Sequence, residues 1–119
     1  MQYLIQFLEP ASQFAHRNDP EKPPAYWGAW GAYFKTLEES GVMLSGAGLQ
    51  PPETATTVRV RNGERIVQDG PFAEAKEMLG GFFIIDTPTL DVALEWAARS
   101  PSAEYGSTEV RPVLPPPEA

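Results

Sequence analysis

The sequence predicts a single α+β domain in which two helices cover one face of an antiparallel β-sheet. Three observations support this fold class. Short apolar or alternating segments recur as strands do, two longer segments repeat apolar residues every three or four positions as helices do, and Asn62-Gly63 is a strong hairpin signal. The 119 residues fit one domain, which we place at residues 1–114, followed by a short proline-rich tail at 115–119.

The first half of the chain contains a strand, a helix and a second strand. Residues 2–8 are β-prone and mostly apolar, whereas residues 9–24 are polar and predict a loop that could close over a cleft. A helix is expected from about residue 25 to residue 40, with Gly41 as its left-handed C′ residue. Its apolar stripe consists of Tyr26, Trp30, Tyr33, Phe34 and Leu37. A short strand is expected at residues 42–46.

A β-hairpin is expected in the middle of the chain. Residues 56–61 alternate between polar and apolar side chains, and residues 65–67 return as the partner strand after Asn62-Gly63. The almost continuous apolar run at residues 80–86 is typical of a strand that is buried on both faces.

The second helix follows this buried strand. Thr89 is the expected N-cap, and Ser100-Pro101 ends the helix. The buried stripe is expected to be Leu90, Ala93, Leu94 and Ala97. Residues 108–113 are expected to form the last strand, and Pro112 indicates a sheet edge or a strand end because proline cannot donate to a β-ladder.

The order β-α-β-hairpin-β-α-β is that of a ferredoxin-like split βαβ sandwich with an inserted hairpin. The helices would cover one face of the sheet. The apolar run Phe82 to Ile85 would then leave apolar side chains on the other face. We therefore expect a homodimer in which this face packs against a second copy.

Composition excludes several functional classes. The net charge of −7 disfavours nucleic-acid binding, because phosphate contacts need clustered Lys and Arg. The absence of cysteine removes thiolate chemistry, and a single histidine leaves no recognisable metal site, so no metal and no cofactor are expected. The N-terminal segment does not read as a signal peptide, and no apolar run is long enough to cross a bilayer. We expect a cytoplasmic protein.

Four segments resemble a known family. SGVMLSGAGLQPP, TATTVRVRNGE, DGPFAEAKEMLGGFFIIDTPTLDVALEWAAR and EVRPV together are similar, in order and spacing, to the DGPF subgroup of the YCII-related protein family. The resemblance covers most of residues 40–113, and the N-terminal third matches only in pattern. It implies a ferredoxin-like fold that pairs as a dimeric α/β barrel.

The resemblance implies two alternative functions. The wider family is similar to muconolactone isomerases and chloromuconolactone dehalogenases, which implies a small enzyme acting on an organic acid or lactone. Members of the DGPF subgroup are often encoded beside extracytoplasmic-function sigma factors, which implies instead a non-enzymatic regulatory protein with a sigma-factor-related partner. Better-studied relatives carry a histidine near the start of the first helix, paired with an aspartate. Here the matching position falls near Trp30, and His16 lies in the preceding loop, where we expect it at the surface.

Asp69 is the candidate acid or base. As a turn residue it would accept backbone N–H groups of the segment that begins at Pro71. As a catalytic residue it would lie in a dimer-associated cleft, where burial raises the pKa of a carboxyl group, with Phe72 as a wall and Glu77 as a second acid. Lys76 would then either contact an anionic group or hold a neighbouring carboxylate in its ionised form.

Two arginines and one aromatic residue complete the candidate site. Arg59 and Arg111 interrupt strand patterns, so each either pairs with an acid or binds the carboxylate of an organic-acid ligand. Trp30 belongs to the aromatic stripe of the first helix, which can line a ligand pocket as well as the core. The sequence therefore predicts either a cofactor-free small-molecule enzyme or binding protein, or a regulatory interaction protein.

Overall fold

The computed structural model describes residues 1–18, 23–70 and 75–116. Its strands are β1 (Gln2–Pro10), β2 (Met43–Gly48), β3 (Thr56–Arg61), β4 (Glu64–Asp69), β5 (Glu77–Asp86) and β6 (Ser107–Pro112). Its helices are α1 (Ala11–Phe14), α2 (Pro23–Ser40), α3 (Leu90–Ala98) and α4 (Ser102–Tyr105). Short 3-10 turns lie at Ala15–Asn18 and Pro52–Thr54.

Four of these strands form one antiparallel sheet in the order β2-β5-β1-β6, and β3 and β4 pair separately as a hairpin. The predicted mixed fold with an antiparallel sheet is confirmed, and this order is compatible with the ferredoxin-like plan. Strand β6 lies at one edge of the sheet, as Pro112 predicted.

The core lies between the central strands and the helices. Alternate residues of β1 are buried, namely Tyr3, Ile5, Phe7 and Glu9, because successive side chains of a strand point to opposite faces. Leu37 of α2 and Ala93 of α3 pack against this row. The hydroxyl group of Tyr33 donates to the carbonyl of Trp96 at 2.9 Å and so connects α2 to α3.

The segment predicted as a loop at residues 9–24 is more ordered than expected. Strand β1 continues to Pro10, which pairs with Glu77, and residues 11–18 form helical turns. A charged residue followed by proline, as at Glu9-Pro10, indicates a strand end. The strand continues because Glu9 turns inward and finds a hydrogen-bond partner there, which removes the cost of burying it unpaired. Residues 19–22 lie outside the described part of the chain.

The apolar stripe of α3 was only partly predicted. Ala93 and Ala97 are buried, but Leu90 and Leu94 are 45% and 46% exposed. The small alanines face the sheet, and the larger leucines lie on the outer flank of the helix. On α2, Phe34 is likewise 41% exposed. Thr89 caps α3 as predicted, because its hydroxyl oxygen accepts from the backbone N–H of Val92 at 3.3 Å.

The hairpin is confirmed at the predicted turn. Asn62 and Gly63 have φ angles of 53° and 77°, as a tight two-residue hairpin turn requires. Among the strands described, β3 and β4 pair only with each other. The hairpin exposes apolar side chains on both faces: Val58, Val60, Ile66 and Val67.

Strand β5 is buried on its helix side and half-covered on the other. Phe83 and Ile85 lie beneath the helices, whereas Phe82 and Ile84 alternate to the opposite face and are half-buried. Leu4 of β1 pairs with Ile84 on that open face. The sheet therefore presents an apolar row on the side away from its helices.

Candidate functional site

An aromatic cavity of about 260 Å³ lies between α2, the end of β2 and the middle of β5. Its walls include the rings of Phe7, Tyr26, Trp27, Trp30, Phe34 and Phe83. On α2, the residues that reach the cavity are spaced by three or four positions and so share one helix face. Gly31 and the pair Gly80-Gly81 also line the cavity and leave space because they carry no side chain.

A buried carboxyl group lies at the polar end of this cavity. Glu9 is 3% exposed, and its Oε1 accepts a hydrogen bond from the hydroxyl group of Tyr26 at 2.7 Å. Burial raises the pKa of Glu9, although the hydrogen bond from Tyr26 and the positive charge of Arg17 act in the opposite direction. Burial also raises the pKa of Tyr26 to about 12. The hydroxyl group of Tyr26 therefore stays protonated and donates a hydrogen bond to Glu9.

Arg17 holds the polar end together. Its Nε donates to the Tyr26 hydroxyl oxygen at 3.1 Å, and its two terminal nitrogens donate to the carbonyls of Leu49 at 2.6 Å and Gly80 at 3.3 Å. The guanidinium carbon also lies 4.9 Å from the ring centre of Phe14 and 5.1 Å from that of Trp27. One side chain thus connects the turn after α1, helix α2 and strand β5.

This arrangement can transfer a proton. A carboxyl group whose pKa is raised by burial exists in both protonation states closer to neutral pH than an exposed carboxyl group does. The surrounding rings are apolar, and an apolar environment strengthens the interaction between Glu9 and a bound polar group. Glu9 therefore has the environment of a general acid or base, and Tyr26 and Arg17 fix its orientation.

Of the sequence-predicted site residues, Trp30 lines the aromatic cavity. Its ring packs edge-on against Phe7 with ring centres 4.9 Å apart. Asp69 is exposed at the end of β4, and Arg59 on β3 donates to the side chain of Gln68 at 3.3 Å. These two residues belong to the hairpin and are not among the described residues that line the cavity.

The other candidates are also apart from the aromatic cavity. Lys76 is exposed, and the half-buried Glu77 accepts from the hydroxyl group of Ser107 at 2.6 Å. Arg111 pairs with Glu109 at 2.8 Å on an exposed strand end, which is the simpler of its two predicted roles. Phe72 lies outside the described residues. The catalytic and ligand-binding roles of Asp69 and its companions stay predictions.

Sequence patterns did not predict that Glu9, Tyr26 and Arg17 contact one another. One signal was available, because Glu9 has the same parity in β1 as three apolar residues that face the helices. A carboxyl group continuing an apolar row is expected to be buried with a partner. No local pattern marked Arg17, whose partners include a carbonyl 63 positions away.

A second cavity, of about 280 Å³, lies on another side of Glu9. Glu9, Tyr26 and Trp30 line both cavities. The second cavity has additional polar side chains from Gln13 and His16. His16 was expected at the surface, but it is half-buried here.

The described part of the chain lacks metal-ligand clusters and membrane-spanning helices. Across residues 1–18, 23–70 and 75–116, no three His, Asp or Glu side chains are grouped so that they could hold a metal ion. Within the same ranges, no helix has the length and apolar character needed to cross a membrane.

Comparison with known proteins identifies a family, a relative and a similar solved structure. The family model described as the YCII-related domain matches residues 4–116. An uncharacterized protein of Rhizobium meliloti (strain 1021) is 48% identical over 77 residues, which are 63% of this chain and 62% of that relative. The match thus spans less than two thirds of the relative's length.

The fold is also similar to that of a solved structure, 5-chloro-2-hydroxyhydroquinone dehydrochlorinase from Burkholderia phenoliruptrix AC1100 in complex with 2,5-dihydroxybenzoquinone. The TM-score is 0.55 at 17% identity, and the alignment covers 96% of this chain and 94% of that one. At this identity the similarity concerns the fold alone.

Proposed function

Because this chain belongs to the YCII-related domain family, we propose that it is a small-molecule enzyme that moves a proton on a ring compound held in the aromatic cavity. One observation carries the proposal: the Glu9 carboxyl group is buried at the end of that cavity and is held by Tyr26, which is held in turn by Arg17. Glu9, rather than Asp69, is the proposed acid or base.

The cavity suits a compact ring without a carboxylate. Its volume of about 260 Å³ is near the lower end of the range for small-molecule sites, and its walls are largely aromatic. A ligand carboxylate would meet the Glu9 carboxyl group, and two carboxylates at one site repel each other. Of the two ligand classes that the sequence suggests, the geometry therefore favours the lactone over the organic acid. Phenols are a further ring class of suitable size.

The proposed step is a simple proton transfer. A C–H or O–H bond of the ring breaks, an O–H bond forms on Glu9, and the electron pair stays on the ligand as an enolate or phenolate. The positive charge of Arg17, near the polar end, favours this developing anion. Return of the proton to another ligand atom would complete an isomerisation.

We also propose that the protein is a homodimer, as the sequence suggests. The apolar row on the open face of the sheet supports this proposal, because a face with Leu4 and Ile84 gains stability when a second copy covers it. The regulatory alternative with a sigma-factor-related partner stays a prediction from the family resemblance. No contact of the described residues favours it over the enzyme.

Ligand binding tests the proposed function. The chain has three tryptophans, two of which line the cavity, so ring compounds that enter it should quench intrinsic fluorescence. The panel contains 4-nitrophenol, hydroquinone, 2(5H)-furanone and the 2,5-dihydroxybenzoquinone bound by the structural neighbour. Substitution Gly31→Leu fills the cavity and should weaken binding about tenfold or more, since a leucine displaces the ligand.

Gly28→Leu is the matched control, because Gly28 lies on the same helix and is not among the described residues that line this cavity. A Cβ atom at either glycine meets no atom within 4 Å, so both variants should fold. Glu9→Gln should keep binding but remove its pH dependence. Failure of every panel compound to bind at millimolar concentration, or equal loss of binding in both glycine variants, would overturn the proposed function.

A further inference from the structure

Glu9 separates two cavities of different character. On one side it ends the aromatic cavity, and on the other it borders the cavity lined by Gln13 and His16. Tyr26 and Trp30 form the shared wall. Glu9 thus borders an apolar cavity and a more polar one.

We infer that the second cavity is the route by which protons pass between Glu9 and solvent, and that His16 is the residue that relays them. The inference rests on the proposed function of Glu9 as the acid or base. In this inference His16 exchanges protons with Glu9 and does not itself act on the ligand. Its consequence is that Glu9 can exchange its proton with solvent while a ligand occupies the aromatic cavity.

The size and lining of the second cavity support a water-filled route. Its volume of about 280 Å³ exceeds that of a single water molecule, which occupies ~30 Å³ in the liquid. Waters need polar partners, and the side chains of Gln13, His16 and Glu9 offer them. The aromatic cavity, by contrast, is lined mainly by aromatic side chains and glycines, and its charged lining residues among those described are Glu9 and Arg17.

His16 is the described neighbour best suited to relay the proton. The groups whose charge or hydrogen bond acts on Glu9 are Tyr26 from α2 and Arg17 and His16 from the turn after α1. A guanidinium group does not release its proton in proteins, and the raised pKa of Tyr26, about 12, holds its proton in place. Tyr105 of α4 borders the same cavity but is 58% exposed. Imidazole is the usual side chain for proton transfer near neutral pH.

The proposed proton transfer from Glu9 to solvent needs no co-reactant. The O–H bond of protonated Glu9 breaks, and the proton passes through water in the second cavity to a ring nitrogen of neutral His16, where an N–H bond forms. The imidazolium then releases the proton to solvent. Both residues return to their starting states, and no electrons leave or enter the site.

The test uses the ligand-free protein, so it does not depend on an identified ligand. A light-triggered proton release lowers the pH within microseconds, and time-resolved infrared spectroscopy follows the carbonyl stretch of protonated Glu9. Glu9→Gln removes this band and so assigns it. His16→Gln should slow the protonation of Glu9 by about tenfold or more, and added imidazole should restore the rate. Ser12→Ala, on the exposed side of α1, is the control and should keep the wild-type rate.

Chemical modification gives a second measurement should His16→Gln fail to fold. His16 is the only histidine, so diethyl pyrocarbonate modifies a single imidazole, and hydroxylamine reverses the reaction. Protein with a modified His16 should show the same slow protonation of Glu9, and removal of the modification by hydroxylamine should restore the wild-type rate. A rate within about twofold of wild type after loss of the imidazole, or no rescue by imidazole, overturns the inference. That result would leave the ligand-binding test of the proposed function unaffected.

Discussion

At the scale of single residues, the protein is organised around one buried acid. Glu9 continues the row of Tyr3, Ile5 and Phe7 beneath the helices, where a carboxyl group is costly unless it has partners. Tyr26 supplies the hydrogen bond, and Arg17 orients Tyr26. The chemistry of the cavity therefore depends on three side chains, each of which is held in place by another of the three.

Replacement of Glu9 by glutamine should change how stability depends on pH. Burial raises the pKa of Glu9 above its ordinary value of 4.5, so the folded state disfavours the ionised form. The contribution of Glu9 to stability is full below the unfolded pKa and is lost as pH rises through the folded pKa. The melting temperature of wild type should thus fall relative to Glu9→Gln as pH rises from about 4.5 upward.

Thermal melts of both proteins between acid and neutral pH measure this difference. Glu39→Gln, at an exposed position of α2, is the control and should follow the wild-type curve. Parallel curves for wild type and Glu9→Gln would contradict the expectation.

Replacement of Tyr26 by phenylalanine should destabilise the fold. It removes the hydroxyl group that donates to Glu9 and accepts from Arg17, and both groups lose a partner. Leaving buried polar groups unpaired costs about 1–3 kcal/mol. Urea denaturation of Tyr26→Phe measures the change in unfolding free energy, and Tyr105→Phe, which is 58% exposed, is the matched control. An equal effect of the two substitutions would show that the hydrogen-bond chain does not stabilise the protein.

At the scale of elements, close packing between strands explains one glycine of β2. A Cβ atom at Gly46 would collide with the ring of Phe83 and lie 2.6 Å from the carbonyl oxygen of Phe82, whereas one at Gly48 would meet no atom within 4 Å. Both glycines lie in the same edge strand. Close packing therefore accounts for Gly46 alone, and the two positions have different requirements.

Gly46→Ala should therefore destabilise the protein more than Gly48→Ala. Overpacking against β5 forces shifts that cost about 1–3 kcal/mol. The Gly48 substitution meets open space and should change the unfolding free energy by less than about 0.5 kcal/mol. Chemical denaturation of the two variants gives the comparison, and a larger loss for Gly48→Ala would contradict it.

At the scale of the whole molecule, the helices cover only one face of the sheet. The open face carries half-buried apolar side chains, and the separate hairpin exposes more. Self-association would reduce both exposed areas. The cavity lies on the helix side, bordered by α2, so the homodimer and the proposed proton transfer can be tested separately.

Ile84→Lys should convert the protein from a dimer to a monomer. A lysine at this position can extend its charged end into solvent in a monomer but not in a covered interface. Leu94→Lys, on the exposed flank of α3, is the control and should remain dimeric. Light scattering coupled to size-exclusion chromatography measures the mass of each. Wild type that elutes as a monomer at micromolar concentration would contradict the homodimer.

Local patterns explain why much of the fold could be predicted. The hairpin turn at Asn62-Gly63, the cap at Thr89 and the edge position of Pro112 each depend on the properties of one or two residues. The buried residues of α3 were harder to predict, because its leucines and its alanines fit the same helical period. Which of them faces the sheet depends on how closely the helix approaches it.

The sequence by itself determined the order of the strands and helices along the chain, the turn of the hairpin and the aromatic face of α2, because each follows from residues close together in the chain. Only the tertiary structure decided the site. The carboxyl group of Glu9 accepts from the hydroxyl group of Tyr26, and Arg17 connects that hydroxyl group to the carbonyl of Gly80, so four separate segments meet. These contacts depend on how the helix packs on the sheet, and no local sequence pattern predicts them.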